Sequence, residues 1–171
     1  MNGLKRVILD VVVFVTILAT IIFLYNTYGA ATAKYLFGEP KDTIFINDLS
    51  IEVTMARTPD ERRQGLSGVE RLPDREGKLF IFEKEGFYGI WMKDMLIPID
   101  IFWINENLQV VHIEENIMPD SYPAIYNSPE PARFVLETNA FFADTFQIEV
   151  GDQVAITAND LPEDLRVKLT E

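Results

Sequence analysis

Between Arg6 and Asn26 the sequence carries a single charge, Asp10. As a helix, Val7 to Tyr25 rises ~1.5 Å per residue and reaches ~28 Å, against a hydrocarbon core of ~30 Å. Asp10 falls in the first turn, within reach of headgroups, where a charge costs well under the ~2.5–3.5 kcal/mol of the bilayer centre. Lys5 and Arg6 precede the run, and Tyr25, Tyr28 and Tyr35 follow it as an aromatic belt does. This pattern predicts a single-pass anchor in the membrane, with the positive-inside rule placing the C-terminal domain in an extracytoplasmic compartment. A second reading is a signal segment cleaved at Gly29-Ala30-Ala31 or Ala31-Thr32-Ala33, giving a secreted protein. A third, a core helix of a soluble protein, would leave Lys5 and Arg6 flanking a helix apolar on every side.

The predicted organisation is therefore an anchor or signal segment over residues 1–25, a linker over 26–42, a β-rich domain over 43–158 and a polar tail over 159–171. Composition narrows what that domain does. There is no Cys, so disulfides and thiolate metal sites are excluded, and the single His leaves His112 as the one imidazole for acid–base chemistry. A net charge of −12 argues against a nucleic-acid partner, which needs clustered Lys and Arg. Once the N-terminal segment is set aside the rest stays strongly acidic and is repelled by anionic lipid, so the domain stands off the bilayer.

The domain reads mostly as strands. Ile44 to Ile46 and Ile51/Val53/Met55 form a hairpin across Asn47-Asp48. Thr58-Pro59-Asp60-Glu61 has the residues of a capping box with Pro at the first helical position, and Gly65 stops the helix, a plug at the end of the sheet. Lys78 to Phe82 is a strand, Glu83 to Gly86 a charged turn, and Tyr88 to Met92 another strand. Ile99 to Ile104 and Gln109 to Glu115 form a hairpin, its first arm apolar on both faces and hence central and covered twice. Pro119 to Pro131, with four prolines, is a long loop and a candidate functional element. Arg133 to Glu137 is a strand, Asn139 caps a short helix through Phe146, and Ile148 to Ile156 forms a strand–turn–strand across Gly151-Asp152. Such a series predicts a mainly β fold, a compact barrel or sandwich with one or two short helices, preceded by the transmembrane helix.

Gly65-Leu66, Gly77-Lys78-Leu79-Phe80-Ile81-Phe82, Trp91-Met92-Lys93, Pro98-Ile99-Asp100-Ile101, Pro131-Ala132-Arg133-Phe134-Val135-Leu136-Glu137 and Val150-Gly151-Asp152 occur in an order and spacing that resembles domain of unknown function 192, also called uncharacterised protein family 0127. The likeness runs from about Ile51 to Ile156. It implies a small, mainly β fold and no particular activity. The chain departs from the family pattern at Asp94-Met95, where Asn-Thr is commoner, and at Leu108, where a turn Gly is frequent.

Among residues able to carry chemistry, Glu137 ends an apolar run; buried without a partner it would have a raised pKa, and otherwise it clamps the backbone N–H groups of the following helix. Asp100 starts a central strand and either caps a turn or pairs with Lys93. His112 shares a face with Asp100 only if the hairpin loop has three residues; a two- or four-residue loop separates them. Leu108 is poorly suited to the positive φ of the three-residue loop, which favours separation. Trp91, Lys93 and Arg133 are candidate ligand-binding residues, with Trp91 and Lys93 near the Pro119–Pro131 loop. No cofactor or metal site is indicated. The favoured function is a non-catalytic module binding an envelope protein, peptide or glycan. The alternative is a hydrolase acting on an envelope glycan through Glu137 and Asp100, with Lys93 in support.

Overall fold

The computed structural model describes residues 11–23 and 41–156. The chain divides into two units, Met1–Pro40 and Lys41–Glu171. In the first, residues 11–23 form a helix, α1, with its apolar side chains exposed. No helix among the described residues is long and apolar enough to cross a membrane. Thirteen residues reach only ~20 Å. The remainder of the predicted span, residues 7–10 and 24–25, lies outside the described residues, as do most of the linker, both cleavage motifs and the polar tail.

The second unit is built on one mixed sheet. β1 (Asp42–Ile46) and β2 (Leu49–Ala56) form the expected hairpin, with Ile46 opposite Leu49 and Asn47 taking a positive φ of 52° in the turn. Thr58 then caps α2 (Pro59–Gln64), with the Glu61 side chain returning the hydrogen bond in a complete capping box. β3 (Glu76–Gly86) runs parallel to β2, so the α2 segment is the crossover such a pair requires. The segment after α2 lies over one face of the sheet, where Leu66 clusters with Phe80 and Val135. β3 also continues through residues 83–86, where the sequence predicted a turn: a register shift against the neighbouring strand accommodates them.

β4 (Ile90–Trp91) is shorter than expected. It pairs with β7 (Ile125–Tyr126), which lies inside the Pro119–Pro131 loop, in a separate two-stranded ribbon. β5 (Ile99–Ile104) and β6 (Val110–Ile117) form the second hairpin; β8 (Ala132–Asn139), α3 (Phe142–Phe146) and β9 (Val154–Ile156) complete the unit. The sheet order is β6-β5-β8-β3-β2-β1-β9. It curls into a half-barrel: Gln153, just before β9, bridges to Gln109, just before β6, and the Val154 N–H donates to the Leu108 carbonyl at 2.7 Å. The first arm of the predicted Ile148–Ile156 strand pair does not form. Its residues instead bring the chain to this closure.

Alternation along the strands makes two cores. Inside the curl lie Ile44, Val53, Leu79, Phe102, Phe134 and Leu136 with Phe142 of α3. On the outside lie Phe80, Ile101, Trp103 and Val135, covered by Leu66, Met92 and Met95. Every residue of β5 is buried, as its two-faced apolar pattern predicted.

The hairpin between β5 and β6 takes a register the sequence left open. Ile104 pairs with Val110 and the Asn105 N–H donates to the Gln109 carbonyl at 3.0 Å, which leaves a three-residue loop over 106–108 in which Leu108 adopts φ 58° despite its Cβ. That loop alone would put Asp100 and His112 on one face. A bulge between Trp103 and Ile104 then shifts the register, so His112 pairs with Trp103 and turns to the outer face. The separation was expected; its cause, a bulge, was not.

Asn139 does not cap α3. It ends β8 and donates to the carbonyls of Leu72 and Pro73. The cap is Asp100, fully buried on the inner face: Oδ2 accepts from the Ala143 N–H at 2.9 Å, and Oδ1 from Phe141 at 3.2 Å and Asn116 at 2.8 Å. Asp100 therefore ties the start of α3 to the β6 strand. Removing it strands three backbone donors. Asp100→Ala is expected to destabilise the fold by ~2–4 kcal/mol, measured by urea unfolding, with Asp100→Asn costing less.

Candidate functional site

β8 alternates so that Val135 and Glu137 face outward while Phe134 and Leu136 face the inner core. Glu137 sits opposite Lys78 of β3 on one side and Ile101 of β5 on the other. It is 3 % exposed. Its carboxyl lies beneath the residues that follow α2, where the Leu66 backbone N–H donates to it, and Oε2 has no hydrogen-bond partner among the described residues. Burial pushes the carboxyl up to about 8, partly opposed by the Leu66 N–H and by the Lys78 ammonium. Glu137 is thus a neutral acid at pH 7.

Lys78 is itself buried and also acts on Glu61, whose carboxylate is held below its usual range first by the Thr58 and Arg57 N–H groups and then by this ammonium. Gly65 makes the roof possible. It has φ +50°, and a Cβ there would meet Phe80 Cζ at 3.0 Å and Glu137 Oε2 at 3.1 Å. Read as a helix stop in the sequence, it is also the residue that lets the backbone approach the buried acid.

Glu137 is among the residues lining a cleft of about 40 Å³, with Arg62, Arg63, Gly65, Phe80, Met95 and Trp91, although Oε2 itself is closed off from solvent. The cleft has room for about three waters. The cleft shares Arg62, Arg63, Phe80, Gly89, Ile90 and Trp91 with a wider groove of about 290 Å³ whose far wall is Phe82, Phe87 and Tyr88. Phe82 and Tyr88 stack at 3.5 Å, and the Arg62 guanidinium lies 5.0 Å over Phe82 while donating to the Ile81 carbonyl at 2.9 Å. Phe87 is 69 % exposed and Trp91 41 % exposed. Tyr122, from the Pro119–Pro131 loop, meets Trp91 edge-on at 6.4 Å. The loop and Trp91 are therefore neighbours, as the sequence reading had it.

The other sequence candidates are dispersed. Asp100 and Glu137 lie on adjacent strands but on opposite faces of the sheet, because Asp100 pairs with Thr138 and Ile101 with Glu137. They do not form a catalytic pair. Asp100 is occupied by backbone donors, not by Lys93, and Glu137 clamps no following helix; the clamp expected of it belongs to Asp100. His112 bonds Glu114 Oε1 at 3.2 Å and lies against the Trp103 ring, on the opposite face from Asp100 and with the β5 strand between it and Glu137. Arg133 is buried, with Nε donating to the Phe82 carbonyl at 2.7 Å beside the β3 irregularity, so it is unsuited to bind ligand from solution. Lys93 is exposed, and its backbone carbonyl accepts from Ser67 Oγ. Sequence reasoning missed Arg62, Phe80, Phe82, Phe87 and Tyr88. The alternating Lys78/Phe80/Phe82 was a usable signal, since those residues share the outer face with Glu137.

Protein-family comparison matches residues 43–156 to DUF192, described as an uncharacterized ACR. Two crystal structures are similar. One is a Sinorhizobium meliloti 1021 protein provisionally described as a transcription regulator, 28 % identical, with a TM-score of 0.65, covering 69 % of this chain and 95 % of that one. The other is a protein of unknown function from Novosphingobium aromaticivorans DSM 12444, 26 % identical, with a TM-score of 0.66, covering 70 % and 88 % respectively. No curated protein matches.

The raised acid makes stability depend on pH. Between the unfolded carboxyl pKa of ~4.3 and the folded value of about 8, the native state holds a proton that the unfolded state has lost. Unfolding free energy should therefore fall by up to ~1.4 kcal/mol per pH unit across that window from this group, and level off above it. Glu137→Gln is expected to remove this slope and to be more stable than wild type at pH 8.5, by urea titration across pH. Gly65→Ala should cost ~1–2 kcal/mol through its positive φ and the crowding of Phe80 and Glu137. The match over residues 43–156 takes in most of the chain and nearly all of the described part of the second unit: this chain belongs to the DUF192 family.

Proposed function

We propose that the protein is a non-catalytic binding module, held at a membrane by its N-terminal segment and presenting its β domain outside the cytoplasm to an envelope peptide, glycan or protein. The observation that carries the binding reading is the outer groove, lined by exposed Phe87 and Trp91 together with Arg62 and continuous with the Pro119–Pro131 loop through Tyr122. Aromatic rings offer large contact area at low entropic cost. A glycan hydrolase through Glu137 and Asp100 lacks its pair, since the sheet stands between the two carboxyls.

The membrane reading rests on the Val7–Tyr25 run and its basic flank. It is supported within α1 by Thr16 and Thr20, whose hydroxyls donate to the Val13 and Thr16 carbonyls at 2.8 Å and so present no unpaired donor to an apolar medium. A regulator role of the kind ascribed to the Sinorhizobium relative is not carried over, because the net charge of −12 opposes a DNA phosphate backbone.

Two measurements test the proposal. An alkaline phosphatase fusion at Glu171 should be active and should stay with the membrane through carbonate extraction; activity confined to a cytosolic reporter would refute the location. Full-length protein in detergent, panned against peptide and glycan libraries, should enrich ligands that a Trp91→Ala/Tyr122→Ala variant loses. Equal recovery by both proteins would refute the groove.

A further inference from the structure

The guanidinium of Arg62 narrows what the outer groove can take, on the understanding that the groove is a binding site. Nη1 donates to the Ile81 carbonyl at 2.9 Å and to the Arg57 carbonyl, and Cζ lies 5.0 Å from the centre of the Phe82 ring. Among the described residues Arg62 has no ion-pair partner. Its Nε and Nη2 make no hydrogen bond with them, and neither atom is closed off from solvent. An arginine fixed by two carbonyls and a ring, with the rest of its fork unused, is pre-organised for a planar anion such as a carboxylate.

The rest of the groove supplies apolar surface and no counter-charge. Phe80, Phe82, Phe87 and Trp91 line its volume of about 290 Å³ beside Arg62 and Arg63, and no carboxylate or carboxamide does. The Tyr88 hydroxyl donates to the Lys84 carbonyl at 2.7 Å. Sugar hydroxyls would leave water here without a side-chain acceptor to meet them, whereas apolar side chains gain by leaving it. Arg63 is paired with Asp60 at 2.6 Å, and Glu61, the residue before Arg62, is occupied by the Thr58 and Arg57 N–H groups. Arg62 is therefore the cation that the groove holds without a partner of opposite sign, in a protein of net charge −12. An acidic partner is repelled by most of that surface and seats only where this charge is.

We propose that the groove binds an extended peptide segment in which an acidic side chain lies between aromatic or large aliphatic ones. The carboxylate accepts from the free side of the Arg62 fork, and its apolar neighbours lie against Phe82, Phe87 and Trp91. The groove is open, so the bound carboxylate keeps water on its outer side and is not asked to enter the core. Beyond Trp91 the surface continues to Tyr122 of the Pro119–Pro131 loop, which gives the bound chain a path past the acid. A charge-assisted pair of this kind separates an acid from its amide by about tenfold in affinity.

The probes are acetyl-Gly-Phe-Glu-Phe-Gly-amide and the same peptide with Gln or Lys in place of Glu. Titrated calorimetrically into the full-length protein in detergent at pH 7, the Glu peptide should bind about tenfold more tightly than the Gln peptide, and the Lys peptide more weakly still. Arg62→Gln should reduce the Glu-over-Gln preference to about twofold or less, and Arg62→Lys should retain part of it. Phe87→Ala should weaken the Glu and Gln peptides by the same factor. Arg62 also holds two carbonyls, so either Arg62 variant can fail to fold. The wild-type protein then decides through salt: going from about 50 to 500 mM NaCl should weaken the Glu peptide severalfold and leave the Gln peptide unchanged. Equal affinity for Glu and Gln, preference for Lys, a preference that survives in folded Arg62→Gln, or no binding of any peptide would overturn the proposal. Oligogalacturonate binding more tightly than the Glu peptide would overturn it too, in favour of an acidic glycan. The groove itself is judged separately: library ligands lost by Trp91→Ala/Tyr122→Ala would keep it as a binding site even where the acidic peptide fails.

Discussion

β5 and β8 lie side by side with apolar layers on both faces, and most of the architecture follows from keeping them dry. A strand covered twice has no wet side to which a polar residue can turn. The polar side chains on this pair, Asp100 and Arg133, Glu137 and Thr138, must therefore find partners within the protein or remain costly. Asp100 and Arg133 illustrate the first outcome. Asp100 takes three backbone N–H groups and so seats α3 on the open side of the curl. Arg133 reaches the Phe82 carbonyl where the long β3 strand loses register.

Glu137 illustrates the second outcome. It has one backbone donor and one idle oxygen, and burial shifts its protonation until it no longer carries a charge at neutral pH. A fold rarely keeps such a group for stability, because well-packed apolar residues of similar size serve as well or better. The glycine above it, the cleft beside it and the aromatic groove beyond make one continuous surface. The contrast between two acids on neighbouring strands is a contrast of faces, since one residue of offset sends them to opposite sides of the sheet.

The same parity governs His112. The loop at Leu108 and the bulge that follows each change which side of the sheet the next residues occupy, and together they cancel. The preference of Leu for negative φ therefore reaches the separation of His112 and Asp100 for the wrong reason, and the observed loop taken alone would put the two on one face. A bulge leaves a residue unpaired, and nothing in the local alternation of Val110 to Glu114 marks where that happens.

Local chemistry was legible where the responsible atoms are neighbours in sequence. The Asn47-Asp48 turn, the capping box of Thr58 and Glu61, the stop at Gly65 and the two-faced burial of β5 are all encoded within a few residues of the positions they shape. The family likeness was legible too, because order and spacing survive in the chain itself. Tertiary structure alone decided that Gly65 roofs Glu137, that Asp100 rather than Asn139 caps α3, that β4 pairs within the proline-rich loop, and that the sheet closes at Gln109 and Gln153. Each of these joins segments distant in sequence. Periodicity states which residues share a face; it does not state which strand lies alongside, and a buried carboxyl is defined by what lies alongside it.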